Sequence, residues 1–148
     1  MREAIANASI FNIMMVFIGV IIALLVGSLS YTKAFKVKNG IIEFIENTDS
    51  GYSANQSTVE EQIESFLIDI GYRVNSNGIN NCPTVSGATN GGAALNPNSN
   101  YQYCIYGFES SRGMYYKVVA YMYFDFPIIS SLLTIPVSGE TIIFYYAD

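Results

Sequence analysis

From Ile10 to Leu29 the chain reads IFNIMMVFIGVIIALLVGSL without one charged residue, and this run limits what the rest of the chain can be. About 20 helical residues, rising 1.5 Å each, span a hydrocarbon core of roughly 30 Å. A helix apolar on every side is otherwise stable only inside a protein core. A chain of 148 residues leaves too little material to wrap one. The run therefore predicts a membrane anchor over residues 1–31 and a distal domain over residues 32–148. A cleaved secretory signal is the competing reading, because Ser28-Leu29-Ser30 offers a small-x-small cut site. Against it, the run exceeds the roughly 7–15 residues of a signal's apolar region. Its leading segment is also weak, with Arg2 offset by Glu3.

Gly19, Ala23 and Gly27 recur every fourth residue and share one face of this helix. Small residues so spaced let a second helix approach closely in lipid, although glycine and alanine are common in membrane helices in any case. Asn12 offers either a polar contact to a neighbouring helix or one to headgroup water. Beyond the membrane the helical pattern continues. Val37, Ile41, Phe44 and Ile45 make an apolar stripe, while Lys36, Lys38, Asn39 and Glu43 point elsewhere. A stalk over residues 32–46 follows, closed by the turn formers Asn47-Thr48-Asp49-Ser50-Gly51.

Two signals disagree about sidedness. Lys33, Lys36 and Lys38 follow the span, which by the positive-inside rule favours a cytoplasmic domain. Cys82 and Cys104 flank an Asn/Gly/Ser-rich stretch, and a bond between them favours an oxidising compartment outside. Such a bond closes a loop of about 20 residues and contributes about 3 kcal/mol. Two unpaired thiols are the alternative. A zinc site is poorly supported, since two cysteines without histidine leave its coordination incomplete.

The distal domain reads first as helix, then as sheet. Ser57 and Thr58, each three residues before a glutamate, suggest overlapping capping boxes. Val59, Ile63, Phe66, Leu67 and Ile70 form one stripe opposite Glu60, Glu61, Glu64 and Asp69, and Gly71 suits a left-handed stop. Strands are expected over Tyr101–Glu109 and Met114–Asp125, separated by a hairpin turn at Ser110–Gly113. In the second, Tyr116, Val118, Ala120, Met122 and Phe124 make an apolar face. Tyr115, Lys117, Val119, Tyr121 and Tyr123 make the other, which either packs beneath the stalk or contacts a protein or glycan. Pro127 stops this strand, Ile128–Leu133 reads as a short turn or helix, and Glu140–Tyr146 reads as the last strand. The fold class is α+β.

Composition excludes several functions. With 7 Lys and Arg and a net charge of −5, no basic stripe exists to neutralise a row of phosphates, so nucleic acid is not an expected partner. Histidine is absent, which removes the commonest general base and metal ligand. No catalytic residue, metal or cofactor is expected.

The order of membrane helix, amphipathic continuation, second helix, Cys-bounded loop and antiparallel sheet resembles the TadE-like family. These are pilin-like minor components of tight-adherence pilus systems related to type IV pili. The nearest local likeness is the end, KVVAYMYFDFPIISSLLTIPVSGETIIFYYAD. The start departs from pilin-type precursors, since MREAIANAS has no glycine before Glu3. The resemblance implies a pilin-like fold and a structural, non-catalytic role in a pilus or secretion assembly. It further implies a single-pass protein of the cell membrane with its C-terminal domain outside the cytoplasm. The implied partners are the membrane, other pilin-like subunits in a homo- or hetero-oligomer, and pilus assembly proteins. A monomeric membrane-tethered module binding glycan or protein is the alternative. A lipid- or peptidoglycan-directed enzyme is a third class, for which no carboxylate pair is marked by its spacing.

Overall fold

The computed structural model describes residues 2–48, 51–74, 81–123 and 134–145, with side chains of the first helix from Ala8 onward. That helix, α1, runs unbroken over Arg2–Glu46, about 67 Å at 1.5 Å per residue. Its large apolar residues between Ile10 and Leu29 are 42–72% exposed, apart from the half-buried Val26. A core helix would be buried, so the soluble-core reading of this run fails. It is a helix near the N-terminus, long and apolar enough to cross a membrane.

Packing begins one turn past the run. Ala34, Val37, Ile41 and Ile45 form a fully buried stripe, one turn longer than the sequence pattern suggested. The expected stalk residue Phe44 is half-buried and meets Phe66 edge-on at 5.4 Å. After Glu46 the helix stops, and Thr48 donates its hydroxyl hydrogen to the Phe44 carbonyl at 3.0 Å. Gly51 follows with φ +71°, a conformation glycine adopts without a steric penalty, and opens the short helix α2, Gly51–Ala54.

Helix α3 spans Gln56–Ile70. The expected capping boxes at Ser57 and Thr58 do not form. The Asn55 carbonyl already accepts the Val59 N–H at 3.1 Å, so both residues sit inside the first turn. A tertiary contact fixes this start, because Gln56 Nε2 reaches both Glu60 Oε1 (3.0 Å) and the Leu95 carbonyl (3.1 Å). The apolar stripe is as expected, with Val59, Ile63 and Leu67 fully buried. The stop at Gly71 is also as expected: φ is +64°, and the Gly71 and Tyr72 N–H groups bond the Ile68 and Leu67 carbonyls in a Schellman arrangement.

The sheet comprises β1 (Tyr103–Ser110), β2 (Gly113–Tyr123), β3 (Thr134–Glu140) and β4 (Phe144–Tyr145). All pairings are antiparallel, in the order β1-β2-β3, with β4 beside the start of β2. Ser110 pairs with Gly113, which leaves Ser111-Arg112 as the hairpin turn. Of the expected last strand, Glu140–Tyr146, Phe144–Tyr145 is found as β4, Glu140 instead ends β3, and Tyr146 lies outside the described residues. The chain is already paired to β2 from Thr134 and breaks at Thr141, whose hydroxyl accepts the Tyr116 N–H (3.0 Å) in place of a ladder bond. Pro136 and Gly139 disguise β3 as a loop. An edge strand tolerates the first, and Gly139 makes room for the Lys38 and Ile42 side chains of α1. The Ile128–Leu133 expectation and Phe124 lie outside the described residues.

The sheet separates two cores. Tyr103 and Ile105 of β1 with Tyr116, Val118 and Ala120 of β2 face the helices, packing with Val37, Ile41, Ile45, Val59, Ile63 and Leu67. Cys104 and Tyr106, with Val119 and Tyr121, face away and lie beneath Val85, Ala88 and Ala94 of the Cys-bounded segment. The Tyr115-to-Tyr123 face is therefore divided: Tyr123 packs against the helix-side core, as one of the two expectations had it, while Val119 and Tyr121 belong to the other cluster. The disulfide loop covers its centre.

Candidate functional site

Two regions invite a functional reading: the bare half of α1, and the place where α1 enters the domain. Asn12, Gly19 and Ala23 are exposed and Gly27 is half-exposed. Their spacings of seven, four and four residues place them along one face of α1. No atom of another element lies within 4 Å of a Cβ built at Gly19. A neighbouring helix could approach there without obstruction from this chain.

Cys82 and Cys104 are joined, with S–S 2.01 Å and Cα–Cα 5.8 Å. Cys104 sits in β1, so the bond ties the start of the loop to the sheet. The loop then runs along the free edge of β1. The Leu95 N–H bonds the Ile105 carbonyl (2.7 Å) and the Thr89 N–H the Gly107 carbonyl (2.8 Å). Asn96, 1% exposed, acts as a strand in miniature. Its Nδ2 donates to the Tyr103 carbonyl and its Oδ1 accepts the Ile105 N–H, both at 2.9 Å. Tyr106 adds a bond from its hydroxyl to the Pro83 carbonyl, and burial pushes that phenol up to about 12.

At the end of the domain nearest the apolar run of α1 lies a cavity of about 470 Å³ that the sequence did not reveal. Ser30 and Lys33 of α1 form one wall; Tyr72 and Arg73, after the α3 stop, form another; Tyr121 and Tyr123 of β2 close it. Lys33 Nζ donates to the Gly71 carbonyl at 2.7 Å. The Arg73 guanidinium lies over the Tyr123 ring, 5.3 Å from its centre. The Tyr72 hydroxyl accepts the Tyr121 N–H (3.0 Å) and is within reach of the Tyr121 and Gln102 carbonyls (2.9 and 3.0 Å). It thus continues the sheet's bonding past the end of β1. Burial raises the Tyr72 and Tyr123 phenols, Tyr123 to about 12 despite the opposing Arg73 charge. Every phenol here is neutral at physiological pH. Among the described residues that line the cavity, none is acidic.

Only the fold brings Lys33, Arg73 and Tyr123 together. They lie 40 and 50 residues apart in the chain, and no local pattern marks them. No family model, curated protein or solved structure matches the chain.

Proposed function

We propose that this protein is a pilin-like structural subunit, TadE-like in character, of a tight-adherence or type IV-related pilus or secretion assembly. Its domain would stand outside the cytoplasm. The observation that carries the reading is the continuity of α1. Its residues 8–25 are bare on all sides, whereas its last turns supply Val37, Ile41 and Ile45 to the domain core. A module that merely binds a ligand near a membrane is served by a flexible tether. Here the anchor cannot pivot without opening the core, so the orientation of the domain is fixed to that of the helix. Rigid coupling of this kind is what stacking of helices into an ordered array demands. The Cys82–Cys104 bond supports the outside placement, since disulfides persist in oxidising compartments. The role is structural and not catalytic.

Crosslinking in membranes tests the reading. Ala23→Leu puts bulk on the Asn12–Gly19–Ala23–Gly27 face and holds neighbouring backbones apart, while leucine is as comfortable in lipid as alanine. Ile22→Leu changes shape on an adjacent face at constant bulk. Assembly should weaken for the first variant and persist for the second, with both retained in the membrane fraction. Equal crosslinking of both variants and the wild type removes this face from the interface and favours the monomeric tethered module.

A further inference from the structure

We infer that the end of the domain nearest the apolar run is a membrane-docking face, seated in the interfacial layer of the bilayer that α1 enters. Distribution is the first argument. Among the described residues beyond Ser30, seven large apolar side chains are exposed. Two of them, Ile142 and Tyr145, lie at the far end, where the Ile142 N–H bonds Glu46 Oε1 and Tyr145 pairs with Gly113. The other five, Tyr31, Phe35, Ile68, Val74 and Ile135, gather at the near end. Single exposed apolar residues are ordinary, whereas several on one end of a domain mark a surface that meets another apolar phase.

Depth is the second argument. Ile135 pairs with Met122, between Tyr121 and Tyr123, which close the cavity walled by Ser30, Lys33 and Ala34 of α1. Val74 bridges to Tyr101, and the β1–β2 register, continued two residues past Tyr103, sets Tyr101 opposite Met122 as well. Val74 and Ile135 therefore close the two ends of one row across the sheet. Ile68 stands three residues before Gly71, whose carbonyl accepts the Lys33 hydrogen bond. On α1 itself Tyr31 stacks with Phe35 at 6.3 Å, and it is two residues past Leu29, about 3 Å along the helix. A headgroup layer is some 5–7 Å deep on each side of the hydrocarbon core, so this level falls within it, where aromatic side chains are favoured. The bilayer is the occupant because the same helix carries the face to it: the uncharged run ends at Leu29, and α1 continues unbroken into the domain core. The inference rests on α1 as a membrane anchor and not on assembly, so a failure of the crosslinking test leaves it standing.

The chain has no tryptophan, so a single introduced one reports its own surroundings. Full-length Val74→Trp, Ile135→Trp, Ile142→Trp and Leu24→Trp are reconstituted separately in phosphatidylcholine vesicles, either plain or brominated near the top of the acyl chains. Bromine in both leaflets makes the result independent of the direction of insertion. All four positions are at least 40% exposed, which gives the larger ring room. Val74→Trp and Ile135→Trp should emit at shorter wavelength than Ile142→Trp and lose emission in the brominated vesicles. Ile142→Trp should emit equally in both, and it controls for the indole ring's own preference for interfaces. Leu24→Trp, inside the uncharged run, should be quenched. If it is quenched and either Val74→Trp or Ile135→Trp is quenched no more than Ile142→Trp, the domain stands clear of the bilayer. That result overturns the inference and leaves the structural-subunit reading intact. If Leu24→Trp is itself unquenched, α1 is not in lipid, and the anchor falls together with the inference.

Discussion

Asn96 offers the sharpest test of how the Cys-bounded loop holds the sheet. Its amide satisfies two backbone groups of β1, the Tyr103 carbonyl and the Ile105 N–H, which no solvent reaches because both residues are 0% exposed. Asn96→Ala orphans one donor and one acceptor. Each buried group left unpaired costs about 1–3 kcal/mol, so the variant should lose about 2–6 kcal/mol. That is a large share of the 5–15 kcal/mol typical of a whole domain. Asn96→Asp gives a signed prediction. A carboxylate keeps the acceptor for Ile105 but turns an oxygen towards the Tyr103 carbonyl oxygen, and burial penalises its charge. Its folded-state pKa must then rise above the unfolded value of about 3.9. The folded state binds the extra proton between the two values, so stability falls as pH rises through that window and recovers on acidification. Urea titration of the full chain in neutral-detergent micelles, read by the near-UV signal of its 12 tyrosines, measures both variants. An Asn96→Ala midpoint equal to that of the wild type, or an Asn96→Asp stability flat with pH, would refute the account.

Replacing Cys82 and Cys104 together by alanine should cost about 3 kcal/mol and make residues 83–103 more sensitive to protease. Finding both wild-type thiols freely alkylated in intact, quenched cells would defeat both the bond and the outside placement. Gly113→Ala aims a methyl group at the Phe144 carbonyl oxygen, which is backbone and cannot swing aside. It should lower stability by about 1–3 kcal/mol, with hydrogen-exchange protection lost at Tyr145 before the sheet centre. Burial holds Tyr103 and Tyr106 at about 12, above the ordinary value near 10. Stability should therefore be flat below pH ~10 and decline as pH rises towards 12, and an unchanged urea midpoint across that range would contradict the burial.

What was legible in the sequence was whatever depends on local period. The uncharged run, the Val37–Ile41–Ile45 stripe, the α3 stripe with its Gly71 stop and the first hairpin all repeat at helix or strand spacing, and each has its expected place. What failed depends on partners remote in the chain. Ser57 and Thr58 looked like caps until Gln56 found the Leu95 carbonyl. β3 was not read as a strand at all, yet it pairs through Pro136 and Gly139 because it lies at an edge and must clear Lys38 and Ile42. The tyrosine face of β2 divides between the helix-side core at Tyr123 and, at Val119 and Tyr121, a loop with no periodicity to announce it. The cavity beside Lys33 was invisible for the same reason, since its walls come from α1, from the residues after α3 and from β2.

The two edges of the sheet bear on whether copies of this chain can pair strand to strand. An open edge invites strand addition from another copy, and proteins that avoid it cover or interrupt their edges. The β1 edge is covered: Thr89, Leu95 and Asn96 occupy the outward groups at Tyr103, Ile105 and Gly107. The β3 edge is interrupted. Tyr121 turns its N–H and carbonyl towards Tyr72, so it and its partner Pro136 form a non-bonded pair. Pro136 therefore presents to the open side a nitrogen with no hydrogen to give. Assembly by sheet extension is thus disfavoured at both edges. The α1 face with Asn12, Gly19 and Ala23 is bare, presents small side chains and is rigidly joined to the domain. If copies of this chain associate, the helix is where the geometry leaves them room to do so.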